Sequence, residues 1–450
     1  MAADAQQIAV IGAGWAGCSA AVELTQAGHQ VTLFEASRQL GGRARRVDIG
    51  ETILDNGQHI LLGAYKQTLQ MMRKVGIDPD RAMLRLPLQM CYPAGSGGMT
   101  FATPRLPAPL HLLAALWRAD GLEREDKLAL ARFSSAARWM GWHLNDDCSV
   151  STLLERFDQT ERLIRLMWRP LCIAALNTRP EQASAQVFLA VLRDSLGARR
   201  KASDMLLPRY DLSSLFPQQA AAFIEERGGN LESGRSVRQL RRDGEQWQLQ
   251  CNESSQNFDA VVIATPPEAA AALLEDCADA ALLAALRSFE YEPITTCYLQ
   301  YASDTRLPRP FFALIDDPEN AADTDAPAWG QFVFDRGQLD PAQAGLLAVV
   351  ISASSAAILD GHQALSHAVA AQIAAAFQQP QLAQPLWSQV ISEKRATFAC
   401  TPDLPRPDND SGLPKLMLAG DYTASDYPAT LESAVRSGRQ AAQELLQQLP

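Results

Sequence analysis

Several things are scarce in this 450-residue chain, and each scarcity narrows what it can be. Its eight cysteines, at 18, 91, 148, 172, 251, 277, 297 and 400, include no C-x-x-C pair. Neither a disulfide framework nor a zinc site is indicated, and no metal is expected. Free thiols scattered in this way fit a reduced, cytoplasmic setting. Positive charge is also short: 40 Lys and Arg stand against 51 Asp and Glu, a formal charge of −11. Nucleic-acid phosphates require a basic face, so no nucleic-acid partner is expected. Adhesion to anionic lipid through net charge alone is equally disfavoured. No apolar run approaches the length of a membrane-spanning helix. No signal peptide is expected, because residues 1–7 are polar and lead straight into an apolar run at Ile8. Internal repeats and low-complexity tracts are lacking too.

What remains is an ordinary globular composition, 47% hydrophobic and 20% charged, in a chain long enough for two lobes. Its most informative stretch is residues 8–17, Ile-Ala-Val-Ile-Gly-Ala-Gly-Trp-Ala-Gly. An apolar run opens into Gly12, Gly14 and Gly17, and the next apolar run, Gln-Val-Thr-Leu-Phe-Glu, ends in Glu35. Strand, glycines, helix, strand and acid in this order form the dinucleotide fingerprint. Gly12 permits the tight turn and Gly14 lets backbone approach a pyrophosphate. Gly17 lets the helix pack close to the sheet, with its N-terminus holding the phosphate charge. Trp15, Ala16 and Ala36 flank these positions and join them as candidate contacts. Glu35 can accept both ribose hydroxyls and would repel a 2′-phosphate, which disfavours NADP.

Residues 36–43, Ala-Ser-Arg-Gln-Leu-Gly-Gly-Arg, add a second glycine pair, including Gly42, and Arg43. Simple NAD dehydrogenases lack this addition. With it the chain resembles the flavin amine oxidase and carotenoid desaturase superfamily. Three more stretches carry the resemblance: residues 230–237; residues 258–267, ending in prolines; and residues 416–421, a run closing in Gly420-Asp421, followed by 428–438. The resemblance implies FAD. It implies that Asp421 meets the ribityl and phosphate region and that Val237 makes a backbone contact on the adenine side. It also implies that Ala429, Thr430 and Leu431 begin the last helix with N–H groups toward the flavin's pyrimidine edge. Residues 52–65 would pass under the flavin, bringing Asn56 and Gly57 to it.

The expected architecture is α/β: a Rossmann-like FAD-binding domain of three discontinuous segments, 1–85, 216–287 and 396–450. A substrate lobe of helical cap and mixed sheet would comprise 86–215 and 288–395. Apolar residues at helical spacing predict helices over 124–139, 151–157 and 161–168, with Ser149 or Ser151 and Thr160 as caps. Strand-like runs occupy 295–301 and 346–352, a helix follows over about 362–377, and 316–328 reads as an exposed loop. The active site would lie between the lobes.

Asp55-Asn-Gly-Gln-His59, residues 168–177 and residues 208–217 are similar to the hydroxysqualene dehydroxylase family over essentially the whole chain. That resemblance implies reductive removal of an allylic hydroxyl from a C30 isoprenoid alcohol, giving squalene in hopanoid or triterpene formation. Hydroxide leaves poorly, so the reaction needs a proton donor, a hydride from reduced flavin and an apolar tunnel. His59 is the candidate acid, titrating near working pH, or else a hydrogen-bonding partner of nearby backbone. Gln58 and Tyr210 are further catalytic candidates; Gln58 and Asn56 can instead fix the loop, and Asp211 can cap a helix. Arg169 is expected to pair with a carboxylate.

A C30 hydrocarbon must be collected from a bilayer. Residues 106–118, apolar and ending in Trp117 and Arg118, are the candidate peripheral contact, on the inner face of the cytoplasmic membrane; a buried cap helix is the alternative. A carotenoid or phytoene-type desaturase is the competing reading. An amine oxidase would commonly place a lysine on the 295–301 run, where this chain has Thr296 and no lysine, and its six lysines adjoin no such motif. A flavoprotein without turnover is the remaining alternative. One G-x-G-x-x-G unit leaves the electron donor undetermined.

Overall fold

The computed structural model describes residues 5–108, 110–197, 199–251, 254–317, 327–359 and 361–449. Five parallel strands form its first sheet, in the order Asn230–Ser233, Gln30–Glu35, Gln7–Ile11, Ala260–Ile263, Leu416–Leu418. The central strands are near-continuous apolar runs, as strands covered on both faces must be. Val10 lies opposite both Leu33 and Val262. Strands from three distant parts of the chain thus share one sheet.

Two helices, Trp15–Gln26 and Leu431–Gln448, pack on this sheet and on each other. Their contact is backbone-close: a Cβ on Gly438 would sit 2.0 Å from the carbonyl oxygen of Ala16.

The second sheet is antiparallel, ordered Phe311–Ala313, Phe332–Asp335, Leu346–Ser352, Tyr291–Gln300, Trp387–Phe398. Alternation along its strands sorts side chains between two environments. Leu347, Val349 and Ile351 pack with Leu365, Val369 and Ile373 of the His362–Phe377 helix. Phe311, Phe332 and Val350 point the other way, into a cavity.

Helices cover that cavity. Arg124–Trp139 and Val150–Arg156 form where apolar spacing predicts them, and Ala185–Ser195 adds a helix that the spacing did not single out. Ser149, rather than Ser151, caps its helix by accepting from the Thr152 N–H, and Thr160 accepts from that of Leu163. The segment beginning at Glu161 passes through a π turn, Ile164–Trp168, before Arg169–Leu176. Asn177 ends it in the left-handed conformation. Its amide donates to the Glu292 carbonyl and to Thr397, and its oxygen accepts from the Ala353 N–H, tying the cap to three parts of the second sheet region. Arg169 pairs with Asp316 at 2.6 Å. Most of the expected 316–328 loop lies outside the described residues.

Residues 110–118 form the helix Leu110–Arg118. His111 and Ala115 are buried and Leu112 and Leu116 lean on the core. Leu110, Leu113 and Trp117 face outward, at i, i+3 and i+7. Within the described residues, no helix is long and apolar enough to cross a membrane.

Replacing Gly438 by Ala is expected to destabilise the protein by about 1–3 kcal/mol through overpacking. Denaturant midpoints of the two proteins test this; an unchanged midpoint would mean the two helices can separate freely.

Candidate active site

The turn after the first strand is built for close approach. Gly12 has φ +106°, and a Cβ there would lie 2.6 Å from the Ala264 carbonyl oxygen. A Cβ on Gly17 would lie 1.8 Å from the Gly12 carbonyl oxygen. Gly14 is different: the nearest atom to its absent Cβ is the Gly42 Cα at 3.8 Å, so its side-chain direction opens onto a cradle rather than onto protein. No side chain caps the helix that begins at Trp15, leaving its first-turn N–H groups to a ligand.

Glu35 is held by the same turn. Its carboxylate accepts from the Ala13 N–H at 2.8 Å and the Ser37 N–H at 2.9 Å. Its carbonyl accepts from the Arg235 N–H, which brings Arg235, Val237 and Arg238 to that end of the cavity. At the other side of the cradle Arg43 pairs with Asp421 and donates to the Ala396 carbonyl at 3.1 Å. Thr430 caps the last helix in a reciprocal box with Ser433, and Ala429, Thr430 and Leu431 line the cavity there. The structure therefore gathers Gly12, Gly14, Trp15, Ala16, Glu35, Ala36, Gly42, Arg43, Asn56, Gly57, Val237, Gly420, Asp421, Ala429, Thr430 and Leu431 around one cavity of about 890 Å³. Gly17 stands just behind, serving the turn.

The cavity continues past residues 56–59 into an apolar arm walled by Met167, Leu171, Leu196, Phe311, Phe332 and Phe334. At the junction the polar residues divide into satisfied and unsatisfied. Asn56 accepts from the Arg45 N–H at 3.0 Å and donates to the Arg43 carbonyl at 2.9 Å, so it fixes its loop. Gln58 is used at both ends: its amide donates to the Tyr298 hydroxyl at 2.8 Å and its oxygen accepts from Arg336 at 3.1 Å. Tyr298 in turn donates to the Asp55 carbonyl at 2.7 Å. Tyr298 and Arg336 had no signal in the sequence, since they reach this loop from 240 and 278 residues away. Asp55 accepts from the Leu212 N–H at 2.8 Å, and burial raises its pKa to about 7.

His59 lines the cavity, and its Nδ1 is buried without a hydrogen-bond partner. Burial pushes its pKa down to about 4, against the opposing influence of the Gly57 backbone. The expectation that it titrates near neutral pH therefore does not hold for this site: below the surface, away from carboxylates, the ring rests neutral. Thr296, fully buried on the Tyr291–Gln300 strand, also keeps an unpaired Oγ1, about 4.0 Å from where a Cβ on Gly57 would stand. Tyr422 lines the cavity with its hydroxyl unpaired. Unpaired buried polar atoms are costly, and a polar ligand in the cavity would relieve them. Tyr210 is half exposed and is not among the cavity-lining residues, while Asp211 beside it caps a helix by accepting from the Ser214 N–H. The structure does not bring Tyr210 to the site.

Comparison with known proteins bears on family and fold. A family described as flavin containing amine oxidoreductase matches residues 15–446. A hydroxysqualene dehydroxylase of Rhodopseudomonas palustris is 30% identical, with 97% of each chain covered. A zeta-carotene desaturase of Synechocystis is 25% identical, covering 98% of this chain and 97% of that one. Among solved structures, a putative protoporphyrinogen oxidase from Exiguobacterium superposes with a TM-score of 0.71 at 16% identity, over 99% of this chain and 100% of the other; it speaks for the fold alone.

Glu35→Gln is expected to weaken nucleotide binding about tenfold or more, because a charged acceptor is lost. Gly14→Ala should fold normally yet release the nucleotide, since its methyl group enters the cradle. Cofactor fluorescence on dilution measures both, and a fully retained cofactor in either variant contradicts the cradle.

Proposed function

The chain belongs to the flavin containing amine oxidoreductase family and is an FAD-dependent oxidoreductase, and from that premise we propose that it reductively removes the allylic hydroxyl of hydroxysqualene, giving squalene. Whole-length likeness to the hydroxysqualene dehydroxylase of R. palustris supports this reading. The observation that carries it is the junction of the cavity: an apolar arm meets the dinucleotide cradle at His59, whose Nδ1 has no partner in the protein. A hydrocarbon bearing one hydroxyl matches such a site, apolar along its arm with unpaired polar atoms only near the junction. An amine fits less well, because the one carboxylate on that part of the wall, Glu393, is already paired with Arg45 at 3.3 Å, and the strand beside Gly57 carries Thr296 instead of lysine.

Gly12, Gly14, Glu35, Arg43 and Asp421 would hold FAD in the cradle, and the reduced cofactor would supply the hydride. The protein does the rest. Phe311, Phe332 and Phe334 keep water from the allylic carbon, where a developing cation would otherwise be captured. The Gln58–Tyr298–Arg336 network holds the 55–59 loop, and so the imidazole, in one place. His59 hydrogen-bonds the departing hydroxyl through Nδ1 and, when protonated, gives it the proton that lets it leave as water. The lipophilic substrate reaches the cavity from a bilayer, on which the outward Leu110, Leu113 and Trp117 of the Leu110–Arg118 helix rest.

A second reading, oxidative desaturation of a carotenoid, draws on the likeness to zeta-carotene desaturase. Products separate the two. Photoreduced protein mixed anaerobically with hydroxysqualene should yield squalene in one turnover, and the oxidised protein should leave a carotene unchanged. A carotene that gains double bonds while hydroxysqualene survives would replace the proposal with the second reading.

The proton step has its own signature. With a His59 pKa of about 4, the protonated fraction rises about tenfold for each unit of pH lowered between 7 and 5. The single-turnover rate should follow that rise, and His59→Ala should be slow and flat across it. A wild-type rate independent of pH, or an undiminished variant, removes His59 from the chemistry.

A further inference from the structure

The formal charge of −11 hides one strongly cationic place. A cleft of about 1050 Å³ is lined by seven Lys and Arg side chains against two carboxylates, Asp80 and Asp204. Both carboxylates are taken within the cleft. Asp80 pairs with Arg85 at 3.6 Å, and Asp204 with Arg85 at 3.3 Å and Arg200 at 3.7 Å. Lys66, Arg73, Arg105, Arg199 and Lys201 have no ion-pair partner among the described residues. Five uncompensated cations around one hollow repel one another unless an anion enters it.

Its position indicates which anion. Arg105 lies five residues before the Leu110–Arg118 helix, whose outward Leu113 and Trp117 are 55% and 84% exposed. The buried side of that helix, at His111, feels the charges of Arg200, Arg138 and Asp204, two of which line the cleft, so helix and cleft lie near one another. The cleft also adjoins the substrate cavity. Leu62 and Met205 line the cavity, their neighbours Gly63 and Asp204 line the cleft, and the Gly63 N–H donates to the Asp204 carbonyl at 2.8 Å. Apolar side chains, a concentrated positive charge and a wall of the substrate cavity thus lie close together.

We propose that this cleft binds the phosphate headgroups of anionic phospholipids, seating the Leu110–Arg118 helix in the adjoining acyl layer and the apolar arm of the cavity against the bilayer. The proposal rests on the membrane contact given above and adds the lipid class. Overall negative charge does not forbid it, because screening over about 8 Å lets local cations dominate at the membrane surface. Each basic side chain near an anionic leaflet strengthens attachment several-fold.

The test floats the holoprotein with vesicles of phosphatidylcholine alone and of phosphatidylcholine with phosphatidylglycerol. Phosphatidylglycerol should raise binding about tenfold or more at low salt, and Arg105→Glu with Arg199→Glu and Lys201→Glu should abolish that gain while residual binding to neutral vesicles and the flavin spectrum persist. If the triple variant loses flavin, the single changes Arg105→Glu and Lys201→Glu, each expected to lose several-fold, take its place. Leu113→Ser with Trp117→Ser should weaken binding to both kinds of vesicle. Equal binding of that variant and wild type would remove the helix contact without touching the cleft. Equal affinity of wild type for the two vesicles, or charge-reversed protein that keeps the gain, overturns the cleft proposal. A gain erased by inorganic phosphate at constant ionic strength overturns it also, in favour of a soluble phosphate ligand.

Discussion

Three backbone contacts that leave no room for a side chain hold the dinucleotide half of this protein together. The Gly12 turn lies against the carbonyl of Ala264, Gly17 against that of Gly12, and Gly438 against that of Ala16. Each joins parts of the chain that are near in space and, for two of them, hundreds of residues apart. Because strand, helix and last helix meet this closely, the uncapped N-terminus at Trp15 and the N-terminus at Leu431 both open on one cavity. Backbone donors placed by such contacts do not reorganise when a ligand arrives, which is why a nucleotide can be held mainly through main chain.

Beyond the cradle, the chemistry depends on which polar groups are left unpaired. Around residues 55–59 nearly every polar atom is matched: Asn56 by backbone, Gln58 by Tyr298 and Arg336, Asp55 by Leu212. His59 is an exception on the cavity wall beside the apolar arm. A matched network keeps its loop rigid, so the few unmatched atoms, His59 Nδ1 with Thr296 Oγ1 and the Tyr422 hydroxyl, stand out as places a polar group could meet. Burial that leaves the imidazole neutral also keeps the hydrophobic arm free of a permanent charge.

The fingerprint glycines, Glu35, the Gly420-Asp421 pair and the start of the last helix were legible in the sequence because each depends on local backbone geometry and short spacing. The strands Tyr291–Gln300 and Leu346–Ser352 and the helix His362–Phe377 were legible through runs and periodicity. What escaped depends on distant partners. Nothing near Gln58 reveals that Tyr298 and Arg336 occupy both of its ends. Nothing near His59 reveals the burial that lowers its pKa, and Tyr210 reads as a polar candidate until its exposure is seen. The phase of the Leu110–Arg118 helix is similar: spacing defines its stripes, but only packing shows that Leu113 faces outward while Leu112 does not. Seven cations drawn from segments spanning Lys66 to Lys201 form their cleft by folding alone.

The most direct measurement is a crystal structure of the FAD-loaded protein with squalene bound. The account predicts the thirty-carbon chain lying along Leu171, Phe311 and Phe332, with one of its carbon–carbon double bonds beside His59. Hydrocarbon density elsewhere, or an apolar arm that stays closed to squalene while FAD fills the cradle, would contradict it.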